Sequence, residues 1–242
     1  MAPLSDEYNI PGGYQLDALL HGWALQRAWH RARLDLIAHV LPPSRDALVL
    51  DAAAGSGIVS YRFGQMNIVS TDLRVSACQA VRSHSPSART VAAELCALPF
   101  RSARFSQVYF LEAIEHLTAD QGLRALGELR RVARAGARCL ITTPNYRSHW
   151  LLLEHLVDTL GVTLPMADVQ HQSKYDRDAL ARAAESTGWR VATLGSFNFL
   201  APFLGMVSSR AGAWAIALET SYLRRGGALL YAVCERMGQD EA

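Results

Sequence analysis

Asp51 closes an aliphatic run and opens a turn of small residues, Asp51-Ala52-Ala53-Ala54-Gly55-Ser56-Gly57, before an apolar pattern resumes at Ile58. A buried strand, an acid, a turn with two glycines and a helix start mark the place where an open parallel sheet receives a nucleotide-like ligand. Gly55 and Gly57 let the backbone come close to that ligand. Asp72 follows 21 residues after Asp51, at the end of the next aliphatic run. There it is placed to accept hydrogen bonds from two ribose hydroxyls.

Two ligand chemistries compete for such a loop. A dinucleotide fingerprint reads Gly-x-Gly-x-x-Gly, and Gly55-Ser56-Gly57-Ile58-Val59-Ser60 lacks the third glycine. A dinucleotide also lays its pyrophosphate on the helix N-terminus, where the Asp51 carboxylate would repel it. S-adenosylmethionine has no phosphate. It carries a sulfonium and an ammonium, and for these an acid at the mouth of the loop is an advantage. An acid that merely caps the following helix is the plain alternative for Asp51.

The elements that hold these residues are legible as alternating patterns. From Tyr14 to Leu41 apolar residues recur at helical spacing and Pro42-Pro43 ends the run, so a helical N-terminal extension is expected. Strands are expected at Ala47 to Asp51, Ile68 to Thr71, Arg89 to Ala93, Ser106 to Phe110 and Arg138 to Thr143. Helices are expected from about Ile58, from about Val75, and over Gln121 to Arg134. Strands alternating with helices imply a parallel sheet covered on both faces. Further on, Trp150 to Leu160 and Asp176 to Thr187 read as helices, Gly188-Trp189 opens a strand to about Phe197, and Ala228 to Glu235 reads as a last strand. The final two strands, joined by a long apolar connection, suggest a hairpin at the sheet edge. No internal repeat or linker is visible, and one domain is expected: an extension over 1–43, a ligand-binding half over 44–145, and a second half over 146–242.

With these motifs in order, the sequence resembles the class I S-adenosylmethionine-dependent methyltransferases from about Ala47 to Thr143, with a weaker continuation to the end. The resemblance implies a doubly wound, Rossmann-like, mostly parallel seven-stranded sheet with an antiparallel C-terminal hairpin strand. Asp51, Ala53, Gly55 and Gly57 correspond to the family's Asp-x-Gly-x-Gly-x-Gly loop, with Ala53 standing where the first glycine would be. Asp72 carries over as the ribose acid, followed by Leu73. Glu94-Leu95-Cys96-Ala97-Leu98-Pro99-Phe100 matches the family's acid and Leu-Pro-Phe segment, which implies that Glu94 receives the adenine amino group with Leu95 against the ring. Leu111-Glu112-Ala113-Ile114-Glu115-His116 looks like the segment after the fourth strand, whose first residues line the methionine end. Leu129-Arg130-Arg131-Val132 and Ala135-Gly136-Ala137 mirror the helix and turn before the fifth strand. Of Trp29, His30, Arg31 and Arg33, Arg31 is read as reaching the cofactor carboxylate and the others as packing or surface charge.

Methyl transfer to a hydroxyl needs a base, and His171, in a polar loop before a helix, is the first candidate, with His116 the second. No metal is expected, because His149, His155 and His171 lack a second tight pair or a cysteine set. The resemblance implies S-adenosylmethionine as methyl donor and S-adenosylhomocysteine as product, with O-methylation the first reading and C- or N-methylation the others. A nicotinamide-dependent oxidoreductase and a non-catalytic binding module are the alternatives.

Composition narrows the partner. The 242 residues carry a net charge of +2, and Lys174 is the only lysine, so nucleic acid is not expected. Arg130, Arg134 and Arg138 recur every four residues and read as a solvated helix face. Between Ser196 and Cys234, 24 of 39 residues are apolar and only Arg210, Glu219, Arg224 and Arg225 are charged. Such a segment makes an apolar lid or cavity wall, and the acceptor is expected to be a hydrophobic small molecule or lipid-like. A homodimer surface and a peripheral membrane contact are competing uses of it. The uncharged run from Val191 to Ser209 approaches the length of a membrane span, but Thr193, Gly195, Ser196, Asn198, Pro202 and Gly205 interrupt it. Cys78, Cys96, Cys139 and Cys234 lie far apart in apolar surroundings, so no disulfide framework is expected. The start of the chain lacks a basic, then apolar, leader, and a cytoplasmic location is expected.

Overall fold

The computed structural model describes residues 12–148, 171–223 and 225–238. The helix expected over Trp150 to Leu160, together with His149 and His155, lies outside them. Seven strands form one sheet in the order β3-β2-β1-β4-β5-β7-β6: β1 (Val49–Ala52), β2 (Ile68–Asp72), β3 (Arg89–Ala92), β4 (Phe105–Leu111), β5 (Ala133–Pro144), β6 (Arg190–Phe197) and β7 (Leu229–Glu235). β1 to β5 pair in parallel, whereas β7 runs antiparallel to both β5 and β6. The expected α/β class and C-terminal hairpin are therefore present. β1, β4 and β7 are buried along nearly their whole length, and β5 from Cys139 onward, because helices cover both faces.

Two apolar layers sandwich the sheet. On one face α5 (Ala119–Val132) and α6 (Arg177–Ser186) bury Leu126, Leu129, Leu180 and Ala184 against Phe105, Val108 and Phe110. On the other, α1 (Tyr14–His21), α2 (Ala24–Val40) and α3 (Ile58–Phe63) bury Leu16, Leu36, Ile37 and Val59 against Val49, Tyr109 and Tyr231. α4 (Val75–His84) packs beside β2 and β3.

Among the described residues the expected helical N-terminal extension divides into two helices, because Gly22 and Trp23 turn extended (ψ 167° and 163°) and break the ladder. The long connection between β6 and β7 is itself helical: α7 (Ala201–Val207) and α8 (Ser209–Ser221) pack on each other and on α2. Their crossing depends on small residues, since a Cβ on Gly212 would sit 2.9 Å from the Gly205 Cα, and one on Gly205 3.1 Å from the Ala28 Cβ. Buried Glu219 accepts hydrogen bonds from the Phe199, Leu200 and Ala201 amides (3.2, 2.6 and 2.8 Å), satisfying the start of α7. Finally, α5 ends at Val132, so Arg134 and Arg138 lie on β5, and the arginines form no helix face. Val191 to Ser209 divides between β6 and α7, and among the described residues no helix is long and apolar enough to cross a membrane.

Candidate functional site

The strand order reverses between β1 and β4, and the crevice at the carboxyl ends of those strands is the ligand position in a sheet of this kind. Register aligns the ends: Ala52 pairs with Thr71 and Phe110, and Leu111 with Thr142. The loops that leave these ends carry most of the expected residues.

The loop after β1 is held in left-handed backbone. Ala53 (φ 56°), Gly55 (φ 52°) and Gly57 (φ 72°) all lie there, a region that costs a residue with a Cβ about 1–2 kcal/mol. Ala53 thus adopts the backbone that a glycine in the family's loop would take without strain. A Cβ on Gly57 would also lie 2.6 Å from Val81 Cγ2, so this glycine is required twice over. Around the loop, Ser56 Oγ accepts from the Leu16 amide (2.8 Å), and a Cβ on Gly55 would lie 2.9 Å from Gln15 Oε1. The N-terminal extension is thereby laid over the loop.

Asp51 is 2% exposed, and its Oδ2 has no hydrogen-bond partner among the described residues. It does not cap α3, whose N-cap is Gly57 with no side-chain cap. Burial, with repulsion from the Asp72 carboxylate, pushes its carboxyl up to about 7 against the lowering effect of a hydrogen bond from Ser70. Asp72 stands at the end of β2. Its Oδ2 accepts from the Gly55 amide (2.9 Å) and its Oδ1 from the Arg74 amide (3.0 Å), which ties the acid to the glycine loop. Leu73 is exposed beside it, and Glu94 is exposed beyond β3 with Leu95 half-buried. All three follow the carboxyl ends of β2 and β3, on the side of the sheet where the resemblance would put the adenine.

Across the crevice, β4 ends at Leu111, and Glu112 is held at φ 48° by its amide donating to the Thr142 carbonyl (3.0 Å). Strained backbone of this kind at a strand end is characteristic of functional sites. Glu112 Oε1 has no partner among the described residues. Burial and the neighbouring Glu115 push its carboxyl up to about 7, against Arg33, Thr142 and His116. Burial likewise pushes the Glu115 carboxyl up to about 7, although Thr143 Oγ1 donates to its Oε2 (3.0 Å).

The arginine that enters from α2 is Arg33, not Arg31. Successive helical residues turn about 100°, so positions two apart face opposite ways. Arg31 is exposed and acts on Asp35, one turn along. Arg33 is 5% exposed, packs against His30 and acts electrostatically on Glu112 and Glu115. Its Nε has no partner among the described residues, and burial lowers its pKa in spite of both acids. Arg31, expected at the cofactor carboxylate, thus lies on the exposed side of the helix and Arg33 on its buried side. The clue was present in the sequence, because Arg33 shares a helical face with buried Leu36 and Ile37.

His116 and His171 come together, with ring centroids 5.2 Å apart. His116 ends a 3-10 turn (Ile114–His116) after β4, and His171 Nδ1 lies 2.6 Å from Tyr146 Oη. Burial, then His116 and Lys174, lowers the His171 pKa to about 4, so its ring is neutral at pH 7. Tyr146, two residues past the end of β5, was not singled out from sequence.

Comparison with known proteins supports the fold. Residues 50–141 match the family model of the methyltransferase domain, Methyltransf_11. A malonyl-[acyl-carrier protein] O-methyltransferase of Pseudescherichia vulneris is 33% identical over 115 residues, which is 47% of this chain and 45% of that protein. The match thus spans about half the length of each. A solved S-adenosylmethionine-dependent methyltransferase of Thermotoga maritima superposes with a TM-score of 0.62 at 13% identity, covering 87% of this chain and 94% of the other. The geranyl diphosphate C-methyltransferase of Streptomyces coelicolor A3(2), solved with Mg2+, geranyl diphosphate and S-adenosylhomocysteine, gives 0.55 at 15% identity, covering 86% and 78%. Residues 50–141 thus match a methyltransferase-domain model, and the strand order with its antiparallel final pair is the Rossmann-like fold shared with the superposed methyltransferases.

Proposed function

We propose that the protein transfers a methyl group from S-adenosylmethionine to a hydrophobic small-molecule or lipid-like acceptor, with an acceptor oxygen as the first reading. One observation carries the choice of donor. Arg33 Nε, Asp51 Oδ2 and Glu112 Oε1 lack partners among the described residues; Asp51 lies near the carboxyl end of β1, Glu112 directly follows β4, and Arg33 acts electrostatically on Glu112. Buried polar groups are otherwise almost always satisfied. One guanidinium and two carboxylates complement a group carrying both a carboxylate and positive charge. A pyrophosphate would have to displace these acids instead.

When bound, S-adenosylmethionine supplies an electrophilic methyl: a lone pair of the acceptor bonds to the carbon while the carbon–sulfur bond breaks and leaves its pair on sulfur. The chain's contribution is to bind, align and exclude water. Asp72 holds the ribose hydroxyls, and Leu73, Glu94 and Leu95 flank the adenine. Asp51 and Glu112 face the positive charge, and Arg33 the carboxylate. Leu111 closes the methionine end, and His116 and His171 engage the acceptor's nucleophile. A hydroxyl acceptor gives up its proton to solvent as it reacts.

The acceptor class is supported by the α7–α8 hairpin. β6 runs parallel to β5, so Phe197 ends at the same sheet edge as Pro144, and the hairpin begins at the site's end of the molecule. Phe199, Phe203, Met206 and Trp214 are exposed on it, Trp214 to 62%. These side chains offer an apolar wall to a greasy acceptor, and a lipid surface or a second copy of the chain would use the same wall. Incubation with methyl-labelled S-adenosylmethionine and a panel of fatty acyl, prenyl and aromatic hydroxy and carboxylic acids, read by mass, tests the reading. A gain of one methyl on an apolar acceptor supports it. Methylation confined to charged, water-soluble acceptors would overturn it.

A further inference from the structure

The segment that begins at His171 is laced onto the turn after β4. The Gln172 and Ser173 amides both donate to the Glu115 carbonyl (2.8 and 3.0 Å), and Ser173 Oγ donates to the Leu117 carbonyl (2.7 Å). This brings His171 against the Glu115-His116 pair although the residues are remote in sequence. One ligand atom from each of Glu115, His116 and His171 lies within 4.8 Å of the other two. Two of the three also have an orienting partner behind them: Tyr146 Oη at 2.6 Å from His171 Nδ1, and Thr143 Oγ1 at 3.0 Å from Glu115 Oε2. Histidines that bind metals characteristically donate their second ring N–H to such a partner, which fixes the tautomer and turns a lone pair toward the ion.

We propose that Glu115, His116 and His171 form a site for one divalent transition-metal ion at the acceptor end of the crevice. The inference rests on the methyltransferase reading for its role, though not for the existence of the site. Two imidazoles and one carboxylate are a donor set for zinc or iron(II), with positions left for an exogenous ligand. Magnesium, which prefers oxygen donors and retains its waters, is a poor match. At metal–ligand distances of about 2.0–2.2 Å the donors stand roughly 3 Å apart, so the three side chains close inward on loading. The open position takes the acceptor oxygen. Coordination lowers its pKa, the hydroxyl proton passes to solvent, and the oxygen pair becomes available for the methyl carbon.

The test uses the full chain, freed of any affinity tag and stripped with a chelator. Zn2+ and Co2+ are titrated separately by calorimetry and, for Co2+, by its visible absorption. The expected result is one equivalent per chain, with affinity weakened at least ~30-fold in His116→Ala and in His171→Ala and about 10-fold in Tyr146→Phe. Buried Glu115 risks the fold when altered, so the histidines carry the test, with far-ultraviolet circular dichroism as the check on folding. Substoichiometric binding, or equal affinity in the wild type and the double histidine variant, overturns the site. S-Adenosylmethionine binding is measured on the same samples. Its loss in the wild type would defeat the functional reading while leaving the metal result standing.

Discussion

Replacing Asp51 by Asn should move stability and ligand affinity in opposite directions. The Asp51 carboxyl is 2% exposed and is pushed up to about 7 from an ordinary 3.8. A group whose folded pKa is raised binds its proton more tightly in the folded state, so stability falls as pH rises from about 4 to 7 and stays low above that. The full penalty corresponds to roughly 3 pKa units, or about 4 kcal/mol as an upper bound; relaxation around the site reduces it to about 1–3 kcal/mol. Asn has the same shape and carries no charge. At pH 8 the ligand-free variant should therefore be more stable than the wild type in urea, with the difference fading by pH 5. Binding should change the other way. A charge-assisted hydrogen bond to the donor's ammonium is worth about 1.5–3 kcal/mol, so affinity for S-adenosylmethionine should fall roughly 10- to 150-fold at pH 8. Wild-type affinity should also rise from pH 5 to pH 8, because binding the cation releases the Asp51 proton, and the variant should lose that component. Urea melts and calorimetry at both pH values provide the assay. A variant that is less stable at pH 8 and binds the ligand as tightly as the wild type would refute the reasoning and make Asp51 a structural residue.

Other substitutions test other parts of the site. Ala53→Gly removes the Cβ from a left-handed position (φ 56°) and should raise stability by up to about 1 kcal/mol in thermal melts, with ligand affinity retained. Gly57→Ala combines the left-handed φ with a 2.6 Å approach to Val81. It should cost about 2–4 kcal/mol in urea melts, and Val81→Ala should recover only the packing part. Arg33→Met should weaken S-adenosylmethionine binding by roughly 10-fold or more in calorimetry. Arg31→Ala, on the opposite side of the same helix, should leave that affinity within about twofold, since an exposed charge contributes little.

Much of this site could be read from local sequence, and the remainder depends on contacts between distant segments. The β1 loop, Asp72 and the ends of β2, β4 and β5 follow from aliphatic runs that stop at an acid or a small residue, and the structure places them at one sheet edge. The break at Gly22-Trp23 was hidden because helical spacing of apolar residues continues through it. In the β6–β7 connection a nearly uncharged stretch gives little contrast between faces, so two helices read only as a greasy segment. Arg33 is a different case: its face could have been identified by counting three and four residues to Leu36 and Ile37. The approach of His171 to His116 and Tyr146 had no local signal at all, since it is made by a loop returning to the turn after β4.

Calorimetry on one preparation decides whether the crevice between β1 and β4 binds S-adenosylmethionine. Saturable, one-to-one binding of S-adenosylmethionine and S-adenosylhomocysteine is expected, weakened by Asp72→Ala, with no heat from NADH. Tight NADH binding without S-adenosylmethionine binding would contradict it.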